Sequence, residues 1–591
     1  MFKPSWATLL VASCCFTVHA DESIEHISIY ANRTPTKIEQ VLASVTVLDR
    51  AAIVERQATD LPALLAQLPG VSIARDGGRG QNASVYVRGG NSGHTLVLID
   101  GMRTGSATLG YKTLAMVPLD LIERIELIRG PRAAWYGADA VSGVIAITTR
   151  KAQQTEFNAN VGSYGQVGAD LSVSHQQGDL ALNATAGYSR ADGFNVRDNL
   201  DPDKDGYQQR FAKLAAEYQT AFGLWQAQVD LNSGFYQFDT AWGTEDQADS
   251  VNRSYLLGWQ QQAGAWQHQA QLSRVLDEDT PYGPVSRSPF MTERDEFSYQ
   301  ATTSLSQQLT WLVGLNWYNE SVAGSNVNYA VQNRINRAAF SGLSFRQDKL
   351  QLDGSVRRDL TEQYGANNTW QFAAGYWFTE RWQLRASRGA AFKAPTFNDL
   401  YFPGFSNPEL APEKTLSDEI AIQYRVANGS IALAWFENDV ESLIQFDFAT
   451  SKPQNIQQAK LSGLELVITA EVAGIEQHFA YSWIETENTL TGQRLVRRPE
   501  HKLNWRAAYH WDKFATFVTA DYQSDTYQGA FASSEYLGGF TLWGVGASYP
   551  LSPALSLRAK VDNLFDKNYQ TNAGFNNAGI NFSLSLSYRA Y

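Results

Sequence analysis

Cysteine is nearly absent from this chain of 591 residues, which has two, both among the first twenty positions. In that segment Lys3 precedes the apolar stretch 6–18, and Ala20 offers a small residue for cleavage. This layout predicts a secretory signal peptide over residues 1–20, with lipidation of Cys14 as the alternative. A chain cleaved there has no cysteine, which excludes a disulfide-stabilised fold, a thiolate nucleophile and a cysteine metal site.

Long apolar runs and an excess of positive charge are also missing. Beyond residue 20, no unbroken run reaches the roughly 18 apolar residues that a membrane-spanning helix needs, which excludes a helical membrane protein. Lys and Arg number 48 against 60 Asp and Glu, giving a formal net charge of -12. Because phosphate binding needs clustered Lys and Arg, a nucleic-acid partner is not expected.

Motifs for catalysis are lacking as well. The chain has no Gly-x-Ser-x-Gly elbow and no His-Glu-x-x-His zinc motif. The Gly-rich stretch 77–80 is not followed by the Gly-Lys-Ser/Thr of a phosphate loop. The sequence therefore predicts a protein that is not an enzyme.

Aromatic residues and glycine are abundant instead, at 12% of the chain and 45 residues respectively, which favours strands over helices. From about residue 155 onward apolar side chains alternate with polar ones, as in 157–161, 169–174, 182–188 and 580–588. This period of two predicts sheets with one apolar and one polar face. Since the polar positions are rich in Ser, Gln, Asn, Thr and Gly, we interpret them as lining a wide aqueous lumen; soluble β-sandwich domains are the alternative.

A sheet in a membrane has to close into a barrel, because every backbone polar group in lipid needs a partner. At roughly 20 residues per strand and turn, residues 153–591 would form about 22 strands. We therefore expect an all-β transmembrane barrel of antiparallel strands. Residues 35–152 mix short β-like runs with a helix-like stretch at 61–68. They predict a small α/β plug domain inside the lumen, because so wide a barrel would otherwise stand open.

Charges of both signs are dense in the predicted plug. They are Arg88, Arg124, Arg129, Arg132 and Arg150 with Asp100, Glu123, Glu126 and Asp139. Buried charges must be paired and hydrogen-bonded. We expect polar contacts to hold the plug in the lumen, so that a mechanical pull could remodel it; pairing within the plug is a compatible alternative.

Ordered motifs in both regions resemble one protein family. They are 68–71 (LPGV), 87–90 (VRGG), 97–101 (VLIDG), 122–126 (IERIE), 129–131 (RGP) and 143–145 (GVI), followed by 392–395 (FKAP), 407–414 (NPELAPEK) and 563–567 (NLFDK). On these residues the mature chain is similar to the TonB-dependent outer-membrane transporters. The resemblance implies a monomeric importer in the outer membrane of a Gram-negative bacterium, surrounded by lipid and energised by TonB with its inner-membrane complex.

The same resemblance assigns a TonB box within residues 21–34. The box residues are Glu25, His26, Ile27, Ser28, Ile29 and Tyr30. A short extended segment can add as a strand to the exposed sheet edge of a partner, and main-chain hydrogen bonds then give the affinity. We expect this segment to bind TonB; an ordinary frayed terminus is the alternative.

An acidic loop predicts a cation site. Its carboxylates are Asp198, Asp201, Asp203 and Asp205. Such a cluster repels itself unless a cation neutralises it, and calcium accepts six to eight oxygens from a flexible loop. The resemblance places calcium at Asp203 and Asp205, with Asp239 from the next loop. Asn195 stands where the family has an acidic ligand, so Asp198 or Asp201 is expected to compensate; a solvated acidic loop is the alternative.

Within the family the sequence is most similar to the cobalamin transporters, with siderophore or haem transporters as the alternative. Residues 77–81 resemble the first substrate-facing plug loop. We therefore expect ligand contacts from Arg79, Gln81 and Ser84, and from the loop 103–114. Gly-rich turns let backbone groups approach a ligand closely, although a plain turn would have the same composition.

Overall fold

The computed structural model describes residues 27–28, 30–198, 202–240, 245–447, 450–529 and 532–590. The predicted signal peptide, residues 1–20, lies outside the described residues, as do Glu25, His26, Ile29 and Asp201. Within the described ranges, no helix is long and apolar enough to cross a membrane.

The N-terminal part of the chain folds as a small mixed α/β domain, the plug. Its strands are β1 (Ile27–Ser28), β2 (Thr36–Lys37), β3 (Ser44–Leu48), β4 (Val71–Arg75), β5 (Ala83–Val87), β6 (Thr95–Ile99), β7 (Met102–Arg103), β8 (Ile122–Arg129) and β9 (Gly143–Thr149). Its α-helices are α1 (Arg50–Arg56), α2 (Leu61–Leu65) and α3 (Ala133–Tyr136), and its 3-10 helices are Ile38–Gln40, Ser92–His94 and Leu119–Leu121. The main sheet has the order β3-β8-β9-β6-β7, in which β6 and β9 run parallel.

The plug has a hydrophobic core of its own. Helix α2 is capped by Asp60, whose carboxylate accepts a hydrogen bond of 2.8 Å from the Ala63 amide. This cap satisfies an amide that the first turn of a helix leaves without a backbone partner. Leu61, Leu64 and Leu65 then project from α2 into a cluster shared with the sheet, where all three are fully buried. The plug is therefore a packed domain and not a disordered insert.

The rest of the described chain forms a closed antiparallel barrel of 22 strands, as predicted. The barrel strands are β10 (Glu156–Gly162), β11 (Gln166–Gln177), β12 (Leu180–Phe194), β13 (Asp205–Thr220), β14 (Gly223–Gln237), β15 (Gln247–Ala263), β16 (Trp266–Tyr282), β17 (Phe290–Ser304), β18 (Leu309–Ser321), β19 (Asn333–Gln347), β20 (Leu350–Thr361), β21 (Gly365–Trp377), β22 (Trp382–Lys393), β23 (Glu413–Val426), β24 (Gly429–Asp447), β25 (Lys452–Val472), β26 (Ile475–Asn488), β28 (His501–His510), β29 (Ala515–Gln523), β32 (Phe540–Ser552), β33 (Leu555–Asp562) and β34 (Asn581–Arg589). Short pieces in the loops are β27 (Gln493–Arg494), β30 (Thr526–Tyr527), β31 (Tyr536–Leu537) and helix α4 (Phe397–Tyr401). Strand β10 pairs with β34 and closes the barrel, with Glu156 opposite Arg589.

The two faces of the barrel differ as the alternation predicts. On β11, Leu171 and Val173 are 45% and 39% exposed, whereas Asp170 and Ser172 are 2% and 0% exposed. Apolar side chains therefore point outward, where a membrane barrel meets lipid, and polar ones point into the lumen. A β-sandwich would bury its apolar side chains between two sheets, so the outward apolar band excludes that alternative.

The two ends of the barrel also differ. At one end the strands are joined by turns of two to four residues, such as 178–179 and 305–308. At the other end lie longer connections, including 195–204, 322–332 and 394–412. Outer-membrane barrels have short periplasmic turns and long extracellular loops, which orients the molecule.

The plug occupies the barrel lumen and touches the wall on several sides. The Gln57 side chain donates a hydrogen bond of 3.2 Å to a backbone carbonyl of β32. Arg132 donates to Gln371 on β21 at 2.6 Å, and Gln209 on β13 donates to the Met116 carbonyl at 2.5 Å. Because these strands lie far apart around the barrel, the plug spans the lumen, as predicted.

Candidate functional site

A buried ionic cluster joins the plug to the barrel. Arg88 lies 2.6 Å from Glu419 on β23 and 2.8 Å from Glu465 on β25, and Arg129 lies 3.0 Å from Glu465. All four side chains are buried. Burial alone would lower the pKa of Arg88, but Glu465 and Glu419 outweigh it and the pKa is raised. Arg88 therefore stays charged, and its loss would leave two buried carboxylates poorly compensated.

Most of the other plug charges that the sequence singled out also meet the barrel. The ion pairs are Arg150–Glu156 at 2.5 Å, Asp139–Lys393 at 3.0 Å and Asp100–Lys213 at 3.6 Å. Arg124 instead pairs with Glu126 inside the plug, at 3.2 Å. The interface thus combines both expected arrangements, and contacts to the barrel outnumber those within the plug.

The described part of the predicted TonB box is docked against the plug. Ile27 and Ser28 form β1, which pairs with β2. The Tyr30 amide donates to Glu126 at 3.2 Å, and the Tyr30 carbonyl accepts a hydrogen bond of 2.7 Å from the Tyr136 hydroxyl. Burial raises the pKa of the Tyr30 phenol well above its ordinary value. Release of the box would have to break these contacts.

Two of the three predicted ligand residues, Arg79 and Gln81, lie against the barrel wall. The Arg79 guanidinium is 5.1 Å from the ring centroid of Tyr207 on β13. Gln81 is fully buried, and its amide donates to the backbone carbonyl of Gln237. Ser84, on β5, is partly buried. In this conformation a ligand would reach Gln81 only after the plug loop had moved.

A cavity of about 260 Å³ separates the plug from the wall beside this loop. Its lining includes Asp60, Arg79, Lys502 and Asp521. Burial raises the pKa of Asp60, but Arg75, 2.5 Å away, outweighs that effect and the pKa is lowered. Pockets for drug-sized ligands measure about 300–1,000 Å³, so this cavity falls just below that range, and its lining combines charged with aromatic side chains.

Three of the predicted acidic residues converge at the extracellular end. Carboxylate oxygens of Asp203, Asp205 and Asp239 lie within 4.8 Å of one another. Asp203 lies in the loop before β13, Asp205 begins that strand, and Asp239 comes from the following loop. The Asp198 carboxylate lies apart from them and accepts a hydrogen bond of 2.7 Å from Asn576. The chemistry of this group, three carboxylates at one point, is that of a hard-cation site.

A second group of possible metal ligands lies at the periplasmic end. Oxygens of Glu55 and Glu476 and a ring nitrogen of His510 lie within 4.8 Å of one another. Arg506 lies 2.7 Å from Glu55 and compensates its charge. We interpret this group as another ionic contact between plug and barrel.

Sequence reasoning missed the barrel partners of the plug. Glu419 and Glu465 stand at lumen-facing positions of their strands, and alternation marks them as such. No local pattern names Arg88 as their partner, however, because Arg88 and Glu465 are 377 residues apart.

Comparison with known protein families matches both regions. The model for the TonB dependent receptor-like beta-barrel matches residues 153–564, and the model for the TonB-dependent receptor plug domain matches residues 37–144. A vitamin B12 transporter BtuB of Photobacterium profundum is 32% identical over 595 residues, covering 96% of each chain. A vitamin B12 transporter BtuB of Vibrio vulnificus is 31% identical, covering 94% of this chain and 93% of the relative.

Solved structures share the architecture. The ferric enterobactin receptor PfeA of Pseudomonas aeruginosa, a mutant in complex with enterobactin, matches with a TM-score of 0.81 at 18% identity, covering 93% of this chain and 99% of the receptor. The siderophore receptor PirA of Acinetobacter baumannii matches with a TM-score of 0.79 at 17% identity, covering 92% and 98%. At these identities the likeness establishes the fold alone. With plug and barrel both matched, and relatives above 30% identity along almost the entire chain, the protein belongs to the TonB-dependent receptor family, whose members are transporters of the Gram-negative outer membrane and not enzymes.

Proposed function

We propose that this protein imports cobalamin, vitamin B12, across the outer membrane into the periplasm. The observation that carries the proposal is the 32% and 31% identity to two vitamin B12 transporters, which extends over at least 93% of each chain.

The proposal includes a calcium ion at Asp203, Asp205 and Asp239. Calcium bonds to oxygen at about 2.4 Å, so two oxygens on opposite sides of one ion lie about 4.8 Å apart. The three carboxylates fall within that span. Because Asp239 belongs to a different loop from Asp203, a bound ion would tie two neighbouring extracellular loops together above the plug.

Two further parts of the proposal concern the plug. TonB would pair with the box, Glu25–Tyr30, through main-chain hydrogen bonds, in the manner of an added strand. Arg79, Gln81 and Ser84 would contact the ligand once their loop has shifted away from the wall. Gln237, which accepts the hydrogen bond from Gln81, lies two residues before Asp239. Ligand and calcium would therefore act on adjoining parts of the structure.

A siderophore or haem transporter is the second candidate, since solved receptors for siderophores have the same fold. Their identity of 17–18% places them further from this chain than the vitamin B12 transporters. The two candidates predict different ligands for the same architecture.

Titration of the purified full-length protein with cyanocobalamin, with and without calcium, tests the proposal. We expect saturable binding that calcium tightens, and no binding of ferric enterobactin or haem. Binding of an iron chelate or haem in place of cyanocobalamin would contradict it and favour the second candidate.

A further inference from the structure

The plug loop 104–112 reaches the extracellular loops. The Ala107 carbonyl accepts a hydrogen bond of 3.0 Å from the Phe397 amide at the start of α4. Leu109, at the tip, is 47% exposed although most of the plug around it is buried. We call residues 104–112 the apical loop. It is placed where an incoming ligand would press on the plug.

Lys393 connects the apical loop to the interior of the plug. Its ammonium group donates to the Gly110 carbonyl at 3.4 Å and to the Asp139 carboxylate at 3.0 Å. Gly110 has φ +77°, and a Cβ there would lie 2.9 Å from the Lys393 nitrogen. The close approach therefore needs glycine, and a shift of the loop changes the contact of Lys393 with Asp139.

Arg103 links Asp139 to the end of helix α3. One guanidinium nitrogen donates to the other Asp139 oxygen and to the Ala138 carbonyl, both at 3.0 Å. The other donates to the Tyr136 carbonyl at 2.6 Å. Arg103 is 6% exposed. Because a guanidinium is a rigid planar fork, a change at one branch is passed to the other.

Tyr136 in turn holds the last residue of the predicted TonB box and the residues that follow it. Its hydroxyl donates to the Tyr30 carbonyl at 2.7 Å. Its ring lies 4.6 Å from the Arg33 guanidinium, which also stacks 4.5 Å from Phe340 of the barrel. The Tyr136 side chain thus clamps residues 30–33 from one side.

We propose that Arg103 is a positioning residue that couples the apical loop to the TonB box. The coupling runs from Gly110 through Lys393, Asp139 and Arg103 to Tyr136 and Tyr30. It rests on the proposed function only in that the ligand is taken to enter from the extracellular side. Every step is a contact of 3.4 Å or less between buried or partly buried groups. Displacement of the apical loop weakens the Arg103 hold on α3, and Tyr136 then releases the box.

The first test needs no ligand. A reporter cysteine, Ser28→Cys, is placed in the full-length protein, which has no cysteine beyond residue 15, and the rate at which residue 28 reacts with a maleimide is measured. Tyr136→Phe and Arg103→Met should each raise the rate about three- to tenfold, because the first removes the hydrogen bond from Tyr136 to Tyr30 and the second removes the support of that same bond. The double variant should react no faster than the faster single variant, because both changes break the same connection. Multiplicative effects, or an unchanged rate in Arg103→Met, would overturn the proposal.

The second test adds cyanocobalamin. In the reporter background the ligand should raise the labelling rate, whereas in Arg103→Met the rate should no longer respond although the affinity stays within about threefold. Arg498→Met is the matched control: Arg498 is also a buried arginine between barrel and plug, but it donates to Gly89 and Asn91 and not to α3. It should keep the response. A full response in Arg103→Met would overturn the coupling, whereas absence of cyanocobalamin binding in the reporter background itself would refute the proposed function and leave the ligand-free test decisive.

Discussion

The outer face of the barrel and the interface between barrel and plug differ in the side chains that form them. On the outer face, apolar side chains such as Leu171 and Val173 stand exposed at 45% and 39%. At the plug interface, buried ion pairs such as Arg88–Glu419 and hydrogen bonds to backbone carbonyls accompany apolar packing, as between Trp135 and Phe340. The outer face is apolar and suits lipid, whereas the plug interface contains many polar contacts that hydration can replace.

This difference determines which part of the molecule can change. Strands in lipid cannot separate, because each freed backbone group would lack a partner. Ion pairs at the plug can be exchanged for hydration as they break, so their net contribution is modest and their loss reversible. A pull from the periplasm is therefore expected to remodel the plug while the barrel keeps its shape.

The largest effect should come from preventing TonB from binding the predicted box. Ile27→Pro removes a backbone donor from β1 and fixes its backbone, so strand pairing with TonB is lost. Uptake by cells should be abolished, while binding of cyanocobalamin to the purified protein should be unchanged. Uptake at the unmodified rate would show that the box lies elsewhere.

Breaking the ionic cluster should loosen the plug and spare the barrel. Arg88→Met leaves Glu419 and Glu465 buried with less compensation, which typically costs about 3–5 kcal/mol. In the Arg88→Met protein, protease should cleave the plug at a lower urea concentration than in the unmodified protein. The difference in gel mobility between heated and unheated protein, which reports the folded barrel, should not change. Arg274→Met is the control, because Arg274 forms an exposed pair with Asp295 at 2.5 Å. Equal effects of the two substitutions would contradict the account.

The converse substitution should damage the barrel and spare the plug contacts. Leu171→Arg puts a charge on the lipid face near the middle of β11, which costs about 2–4 kcal/mol at the bilayer midplane. The protein is folded into vesicles, and the folded fraction is followed by gel mobility at increasing urea concentration. Leu171→Arg should lower the free energy of unfolding more than Leu171→Ala does. If the arginine variant folds as stably as the alanine variant, β11 does not face lipid there.

At the extracellular end, we expect one substitution to weaken the binding of calcium. Asp203→Asn removes one of three converging carboxylates and should weaken calcium about tenfold or more. Asp198→Asn is the matched control, since Asp198 bonds to Asn576 instead. Calcium titrations of both variants check this prediction. A larger loss of calcium affinity in the Asp198→Asn variant would contradict it and make Asp198 a ligand.

The smallest effect concerns the pH dependence of the plug. The pKa of Asp60 is lowered in the folded state, so its stabilisation is present above the ordinary carboxyl pKa of about 4 and is lost as the pH falls below it. Hydrogen exchange at α2 between pH 3 and 6 should show this loss, of about 1 kcal/mol. Asp60→Asn keeps the helix cap and should remove the pH dependence; a dependence that persists would assign it to another group.

The sequence predicts the barrel well because alternation is local. Leu171 and Ser172 reveal their faces within a few residues, and the requirement for closed pairing in lipid supplies the rest. The plug location follows from the width of the lumen. Neither inference needs knowledge of distant contacts.

The site residues depend on contacts that no local pattern encodes. Asp198 bonds to Asn576, 378 residues away, and Gln81 is buried against Gln237, 156 residues away. Asp203, Asp205 and Asp239 could be grouped because adjacent loops of a barrel are neighbours. The sequence thus names residues of the right chemistry, and the register of the barrel decides which of them meet.

A crosslink between the plug and the barrel tests the central claim most directly. The Ala107 amide donates to the Thr292 hydroxyl on β17 at 2.9 Å, and both residues are buried. The chain has no cysteine beyond residue 15, so Ala107→Cys with Thr292→Cys should form an intrachain crosslink under oxidation or with a short thiol reagent, identified by mass spectrometry of the digested protein. If the pair fails to crosslink, and each single cysteine reacts freely with a bulky water-soluble maleimide, the plug does not sit in the lumen and the account is wrong.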